Sequence, residues 1–266
     1  MKDQLKGVLR GLLETPINKN DSNATMNAKI LYASCMNEYM IESRGAQPLL
    51  TLLNTLGGWP VLNSTHWFEA IEWIDLIAQL RHYNNDILIS QWVGPDNKNS
   101  SVYVIQLDQP ELGMPSREYY DRNTPQYIAY LSFMIKTAEL LGADLDTATA
   151  DMEAVLEFET KLADVTVPNE DRRNYSAIYR SFTVKKLQQM IPSIDWLRYL
   201  NKALPVTIHE NETVVVYALD YIVNMVQLVT KTSKRTIINY ILWRFIYHRS
   251  GNLDNRFIAV QQEYFK

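Results

Sequence analysis

The sequence has one cysteine, Cys35, among its 266 residues, so this thiol has no disulfide partner within the chain. Glycine is also scarce. The nine glycines form neither a G-x-G-x-x-G nor a G-x-x-x-x-G-K pattern. The sequence therefore offers no Gly-rich loop of the kind that cradles phosphate groups.

Basic residues are not in excess, because 26 Lys and Arg stand against 30 Asp and Glu, for a net charge of -4. No run of Lys or Arg exceeds two residues, so the chain lacks the electrostatic footprint of a nucleic-acid-binding protein. Long hydrophobic runs are missing too. The most apolar window, 214–229, is short and interrupted by Asp220, Asn224 and Gln227, so it predicts no membrane span. Charged residues interrupt the first fourteen positions, unlike a signal peptide, so we expect any targeting segment to lie outside this sequence.

What the chain does contain is typical of a folded globular protein: 47% hydrophobic and 21% charged residues. Apolar residues recur three and four positions apart, which predicts a mainly α-helical domain over 1–266. Helices are predicted at 4–14, 25–43, 46–57, 66–82, 124–142, 151–165, 183–203, 218–231 and 234–264, with Thr124, Asp146 and Thr183 as cap residues and Gly142 at a helix end. Two β-rich runs, 87–93 and 102–107, predict a hairpin with a long turn, and 213–217 predicts another strand.

Residues for catalysis or metal binding are few. The segment His209-Glu-Asn-Glu-Thr213 begins like a zinc-binding His-Glu-X-X-His helix, but Thr213 replaces the second histidine. We interpret His209 as a solvated loop residue. The pair Glu153 and Glu157, with Lys161 one turn further, predicts a salt-bridged surface. The residues alone thus indicate no catalytic residue and no metal ligand in this chain.

Asn-X-Ser/Thr sequons suggest export, because N-glycosylation occurs in the secretory pathway. Chance explains any single sequon about as well as function does, but six favour a glycoprotein. The candidate acceptors are Asn20, Asn23, Asn63, Asn99, Asn174 and Asn211.

Six stretches, in order, resemble the neprilysin and endothelin-converting-enzyme family of zinc metalloendopeptidases. They are "AKILYASCMNEYMIESRGAQPLL", "LGGWPVL", "DNKNSSVYVIQLDQPELGMPSREYY", "VTVPNEDRR", "VVVYALDYI" and "NYILWRFI". The resemblance covers nearly the whole chain. It implies the N-terminal, lid-like half of a two-domain ectodomain in a single-pass membrane glycoprotein that cleaves peptides and small polypeptides.

The resemblance places the zinc, its His-Glu-X-X-His helix and the zinc-activated water in a catalytic half that this chain does not contain. The expected partners are that catalytic domain and peptide substrates, and the expected location is the extracellular face of the plasma membrane, or a secreted form. We expect the chain to enclose the active-site cavity, to limit substrate size and to be inactive alone. Isolated residues 1–266 should be poorly soluble, since surface that faces the other half would be exposed.

The resemblance also implies a role for Cys35. In the family, the cysteine of the Ser-Cys-Met-Asn-like motif forms a disulfide with a cysteine downstream of the Trp-Arg-Phe helix, which would lie beyond Lys266. The alternative is a buried free thiol that packs as a small hydrophobic group. A second function also remains open, that of a truncated, non-catalytic secreted glycoprotein that binds peptides as a decoy.

Overall fold

A computed structural model describes residues 2–62, 70–174 and 178–265. The described part is mainly helical, as the apolar periodicity predicts. Its α-helices are α1 (Lys2–Glu14), α2 (Asn23–Cys35), α3 (Glu38–Arg44), α4 (Gln47–Thr55), α5 (Trp73–Arg81), α6 (Pro125–Leu140), α7 (Leu145–Val165), α8 (Val184–Met190), α9 (Trp196–Ala203), α10 (Leu219–Lys231), α11 (Lys234–Tyr247) and α12 (Asn255–Tyr264). Within the described ranges, no helix has both the length and the apolar character needed to cross a membrane.

The helix caps are mostly those predicted. Thr124 and Thr183 accept hydrogen bonds from the first turns of α6 and α8. Gly142 follows the end of α6 with a φ of +108°, the left-handed conformation that favours glycine. Asp146 was wrong as a cap: Asp144 caps α7 by accepting from the Thr147 N–H, and Asp146 lies in the first turn.

Three predicted long helices are each divided in two, because a local capping signal outcompetes the continuous apolar pattern. Asn37 caps α3 and so ends the helix predicted at 25–43. Pro192 stops the helix predicted at 183–203, and Asp195 starts α9. Asp254 starts α12 after a 3-10 turn at Ser250–Asn252, which divides 234–264. Of the helix predicted at 66–82, the structure shows α5, which begins at Trp73. Residues 63–69 are not among the described residues.

A four-stranded sheet packs against the helices. Its strands are β1 (Ser90–Asp96), β2 (Asn99–Asp108), β3 (Arg180–Thr183) and β4 (Thr213–Val216), in the order β1-β2-β4-β3. β1 and β2 are antiparallel, β2 and β4 are parallel, and β3 is antiparallel to β4. The predicted strand at 213–217 is confirmed, whereas the short edge strand β3 was not predicted.

The hairpin is confirmed but its predicted long turn was wrong. Pairing continues through Gly94 and Pro95 to Asp96 opposite Asn99, with an irregularity in register between Pro95 and Asp96. Proline is tolerated there because β1 is an edge strand and needs no ladder hydrogen bond on its outer side. The Gly-Pro pair is therefore part of the strand rather than of the turn.

The centre of the molecule is α11, whose residues from Ile237 to Ile246 are all buried. A helix that is buried on every side must be surrounded, and α5 and α7 pack directly against it. α6 in turn packs between α7 and α12. The aromatic rings of Phe133, Trp243 and Tyr264 meet at this junction, with the Phe133 and Tyr264 rings stacked 5.2 Å apart.

Candidate functional site: a buried ion pair and a polar cleft

The buried centre of the fold contains an ion pair. Arg244 Nη1, in the last turn of α11, lies 3.7 Å from Glu159 Oε1 on α7, and their side chains are only 3% and 0% exposed. Glu159 Oε1 also accepts a 2.7 Å hydrogen bond from the backbone N–H of Gly113. Arg244 Nη2 donates to the carbonyl of Glu111 at 3.2 Å. The pair thus joins α7, α11 and the loop that follows β2.

The charges of this pair depend on each other. Burial raises the pKa of Glu159, while Arg244 and the Gly113 N–H counteract that rise. Burial is the largest influence on Arg244 and opposes its charge, but the Glu159 carboxylate together with the nearby Tyr130, Tyr240 and Tyr120 raises the pKa of the guanidinium. Arg244 therefore keeps its proton, and removing either partner leaves a buried group without its counter-charge.

Two tyrosines and a glycine complete the surroundings of the pair. Tyr120 Oη accepts from the Met114 N–H at 3.0 Å, and Tyr130 Oη accepts from Trp243 Nε1 at 2.8 Å. At Gly113 a Cβ would collide with the Tyr130 phenol and lie 2.8 Å from Arg244 Nη1. The loop reaches the carboxylate only because position 113 has no side chain.

A polar cleft of about 730 Å³ opens beside Arg244, at the carboxyl end of α11. We call it the α11 cleft. It is lined by three chain segments: the turn after α5, the loop after β2, and the end of α11 with the following 3-10 turn. The lining residues are Tyr83, Asn84, Asn85, Asp86, Ser90, Gln109, Glu111, Arg244, His248, Arg249 and Asn252.

The charged groups of the α11 cleft are largely held by neighbours. Arg249 donates to Asn85 Oδ1 at 2.5 Å and to the Tyr83 carbonyl at 3.0 Å, and its guanidinium lies 3.7 Å from the Phe245 ring centroid. Asp86 pairs with Arg81 and accepts from Ser90 Oγ at 2.8 Å. Partial burial, followed by the charges of Arg244 and Arg249, lowers the pKa of His248 and favours neutral imidazole. These contacts make the cleft a structured polar surface suited to hydrogen bonding.

A smaller cleft of about 400 Å³ lies on the outer face of the sheet. The rings of Trp92 and Tyr217 are parallel there, with centroids 5.9 Å apart. Tyr217 Oη donates to Gln106 Oε1 at 2.7 Å, and Arg172 pairs with Asp108 at the edge. Trp92 is 38% exposed, so this aromatic surface is accessible to solvent.

The residues singled out in the sequence do not converge on one site. Cys35 is exposed at the end of α2, so the alternative of a buried thiol was wrong. His209 is exposed in a turn before β4, as expected for a solvated loop residue, and Lys161 pairs with Glu157 at 3.0 Å, as predicted. The described sequon residues are all exposed, while Asn63 lies outside the described residues; the five are Asn20, Asn23, Asn99, Asn174 and Asn211.

The described residues do not fit a zinc site. Within 2–62, 70–174 and 178–265, no group of three His, Cys, Asp or Glu side chains could hold a metal ion. Glu159 is the most deeply buried acid of the candidate site, but its nearest cation is Arg244. We therefore derive no metal chemistry from this chain.

Sequence reasoning missed both Glu159 and the α11 cleft. Glu159 occupies an inward position of α7, between the buried Phe158 and Leu162, and an acidic residue at such a position signals a buried partner. Arg244 lies in "YILWRFI", where all the other residues are apolar or aromatic, so it too indicates a buried partner. The two residues are 85 positions apart, so only the fold brings them together.

A mainly helical body with a small mixed sheet and a buried ion pair defines a mainly α-helical region. Comparison with known proteins identifies the family to which this region belongs. The profile described as Peptidase family M13 matches residues 1–266, and the chain belongs to this family.

Two curated relatives match nearly the whole of this chain. Human "Membrane metallo-endopeptidase-like 1" is 38% identical over 286 residues, which cover 100% of this chain and 36% of the relative. "Endothelin-converting enzyme 1" of Rattus norvegicus is 36% identical over 264 residues, covering 97% of this chain and 34% of the relative. The chain therefore spans little more than a third of the length of these relatives.

Solved structures share the fold. The cryo-EM structure of Mycobacterium tuberculosis zinc metalloprotease ZMP1 in its open state matches with a TM-score of 0.84, covering 99% of this chain and 40% of that one. Its sequence identity of 22% shows the fold alone. The resemblance seen in the six sequence stretches is thus confirmed for both family and fold class.

We expect Glu159→Gln to destabilise the protein by about 3–5 kcal/mol at pH 7, because Arg244 then stays charged and unpaired. Arg244→Met should cost a similar amount at pH 7, whereas Glu159→Gln/Arg244→Met should lose much less than the sum of the two single losses, because neither charge is then left unpaired. Urea denaturation followed by circular dichroism measures all three variants. Near-additive losses in the double variant would contradict the pairing.

The two single variants should also differ in pH dependence. In Arg244→Met the raised pKa of Glu159 favours its neutral form in the folded state. The deficit should therefore shrink as the pH falls from 7 towards the unfolded-state pKa of about 4.3. In Glu159→Gln no such recovery is expected, because the guanidinium does not lose its proton. Equal pH profiles would contradict this assignment.

Gly113→Ala should lower the free energy of unfolding by about 1–3 kcal/mol, because the added methyl group overpacks the Tyr130 and Arg244 contacts. Gly11→Ala is the matched control: a Cβ there meets nothing within 4 Å on an exposed helix. That control should leave stability unchanged or raise it by up to about 1 kcal/mol. Thermal and urea denaturation compare the two, and an equally stable Gly113→Ala variant would contradict the close approach.

Proposed function

We propose that this chain is the non-catalytic N-terminal part of a membrane-bound zinc metalloendopeptidase that cleaves peptides and small polypeptides. The observation that carries this proposal is the pattern of coverage. The match includes 97–100% of this chain but only 34–36% of the relatives. The zinc ligands and the general base of the whole enzyme then belong to the remaining part of the polypeptide.

In this proposal the chain restricts access to the active site sterically. It forms one wall of the active-site cavity and limits the size of substrates that enter. A wall of this kind must be rigid, and the buried α11 with its Arg244–Glu159 pair supplies a rigid body. It also shields the reaction from bulk water, which strengthens the electrostatic interactions inside the cavity. The α11 cleft and the Trp92–Tyr217 surface are the polar and aromatic surfaces that such a wall could present to a peptide.

The proposed location is the extracellular face of the plasma membrane, or a secreted form. The exposure of the five described sequon asparagines supports this location, because an acceptor must be accessible to be glycosylated. The exposure of Cys35 likewise supports the expected disulfide with a cysteine outside this chain.

A domain exchange tests the proposal. Residues 1–266 replace the matched region of human "Membrane metallo-endopeptidase-like 1", and the chimera is assayed for zinc content and peptide cleavage. Two substrates carry the same cleavable sequence: a short fluorogenic peptide, and a folded protein with that sequence in an exposed loop. We expect the chimera to cleave the peptide at a rate comparable with the parent and to reject the folded protein.

The control exchange uses the corresponding region of rat "Endothelin-converting enzyme 1". If the control is active and the chimera with 1–266 is not, the proposed role is wrong. If the chimera cleaves both substrates equally well, the enclosure of the cavity is wrong. Tight peptide binding by isolated 1–266 would favour the decoy function instead.

A further inference from the structure

The first helix exposes its apolar side. Leu5, Val8, Leu9 and Leu12 lie on one face of α1, at helical spacing, and each is 49–61% exposed. We call these four residues the α1 stripe. None of the thirteen described residues of α1 is buried.

The polar side of α1 makes the hydrogen bond that links this helix to α2. Glu14 accepts a 2.7 Å hydrogen bond from Arg10 Nε and a 3.1 Å hydrogen bond from Tyr32 Oη on α2. The amphipathic helices of folded proteins usually bury their apolar stripe and expose their polar face to solvent. In α1 the apolar stripe is the exposed side. The orientation of α1 therefore suits a partner that covers the stripe.

The exposed apolar pattern continues along the chain. On α2, Ile30 and Leu31 are 58% and 66% exposed, and beyond it Met36 and Tyr39 are 54% and 80% exposed. Single exposed hydrophobic residues are ordinary, but exposed apolar residues that share one face, as in the α1 stripe, mark an interaction surface. The first forty residues thus contrast with the closed core around α11.

α1 also needs such a partner to be stable. A helix of thirteen residues is marginal by itself in water, and most helical stability in proteins comes from packing of the apolar face. Among the elements of the described chain, α1 has its main contact with α2, which includes the hydrogen bond between Glu14 and Tyr32, and the side chain of Leu13 is half-buried.

We propose that the α1 stripe docks onto the catalytic part of the same polypeptide. This inference rests on the proposed function, in which the chain is one region of a longer peptidase. The occupant is then an apolar surface within the remaining part of the enzyme, which is about two thirds of the length in the relatives.

The small size of the stripe favours a tethered partner over a second copy of this chain. Four aliphatic side chains offer on the order of a few hundred Å², whereas a stable free interface needs roughly 800 Å² from each partner. A partner in the same polypeptide is present at a high effective concentration, so a small apolar contact is sufficient.

The test is hydrogen–deuterium exchange of α1 in the chimera described above and in isolated residues 1–266. We expect the amides of 2–14 to exchange at least tenfold more slowly in the chimera. The variant Leu5→Glu/Leu9→Glu should remove that protection and lower the melting temperature of the chimera. Lys6→Gln/Gly7→Glu is the matched control, since it changes the net charge equally at exposed positions outside the stripe, and it should keep the protection.

The outcomes separate this inference from the proposed function. An active chimera whose α1 exchanges as fast as in the isolated chain overturns the docking of the stripe and leaves the function standing. An inactive chimera with a protected α1 supports the docking and contradicts the function. Slow exchange of α1 in isolated 1–266, or equal effects of the two variants, overturns the docking, and a chimera that does not fold contradicts both.

Discussion

The structure depends on the burial of an arginine in the last turn of its central helix. α11 is surrounded by other elements and the Arg244 side chain is only 3% exposed, so its charge is largely removed from water and requires a counter-charge inside the protein. Glu159 provides the charge, and Gly113 allows a loop to approach and donate its N–H to the same carboxylate. One pair of charges thus fixes the relative positions of α7, α11 and the connection that leaves β2.

The α11 cleft follows from this arrangement. The loop that carries Glu111 is held by Arg244, and the turn that carries Tyr83 and Asn85 is held by Arg249. Two arginines of one helix end therefore anchor two walls of the cleft. The same organisation favours a rigid body, which the proposed role as a wall that limits substrate size requires. The α1 stripe, by contrast, belongs to a region that the core does not stabilise.

Much of the fold could be predicted from the sequence, because apolar spacing sets the helices and β-branched runs set β2 and β4. Helix divisions at Asn37 and Asp254 were missed, since a capping side chain can end a helix whose apolar pattern continues. β3 was missed because four residues at a sheet edge bury little. The candidate site was not predictable, since Glu159 and Arg244 meet only through tertiary packing. The exposure of the α1 stripe could not be predicted from the sequence either, because apolar periodicity predicts a helix but does not show which element packs against its apolar face.

The most direct test of the account is the zinc content of the soluble fraction of residues 1–266 whose fold circular dichroism has established, measured by mass spectrometry of the metal together with cleavage of a fluorogenic peptide. The proposed function makes this chain a structural part of a zinc endopeptidase and places the metal ligands elsewhere in the polypeptide. It predicts well under one zinc per chain after dialysis and no cleavage that a chelator abolishes. One tightly bound zinc per chain with chelator-sensitive cleavage would contradict it.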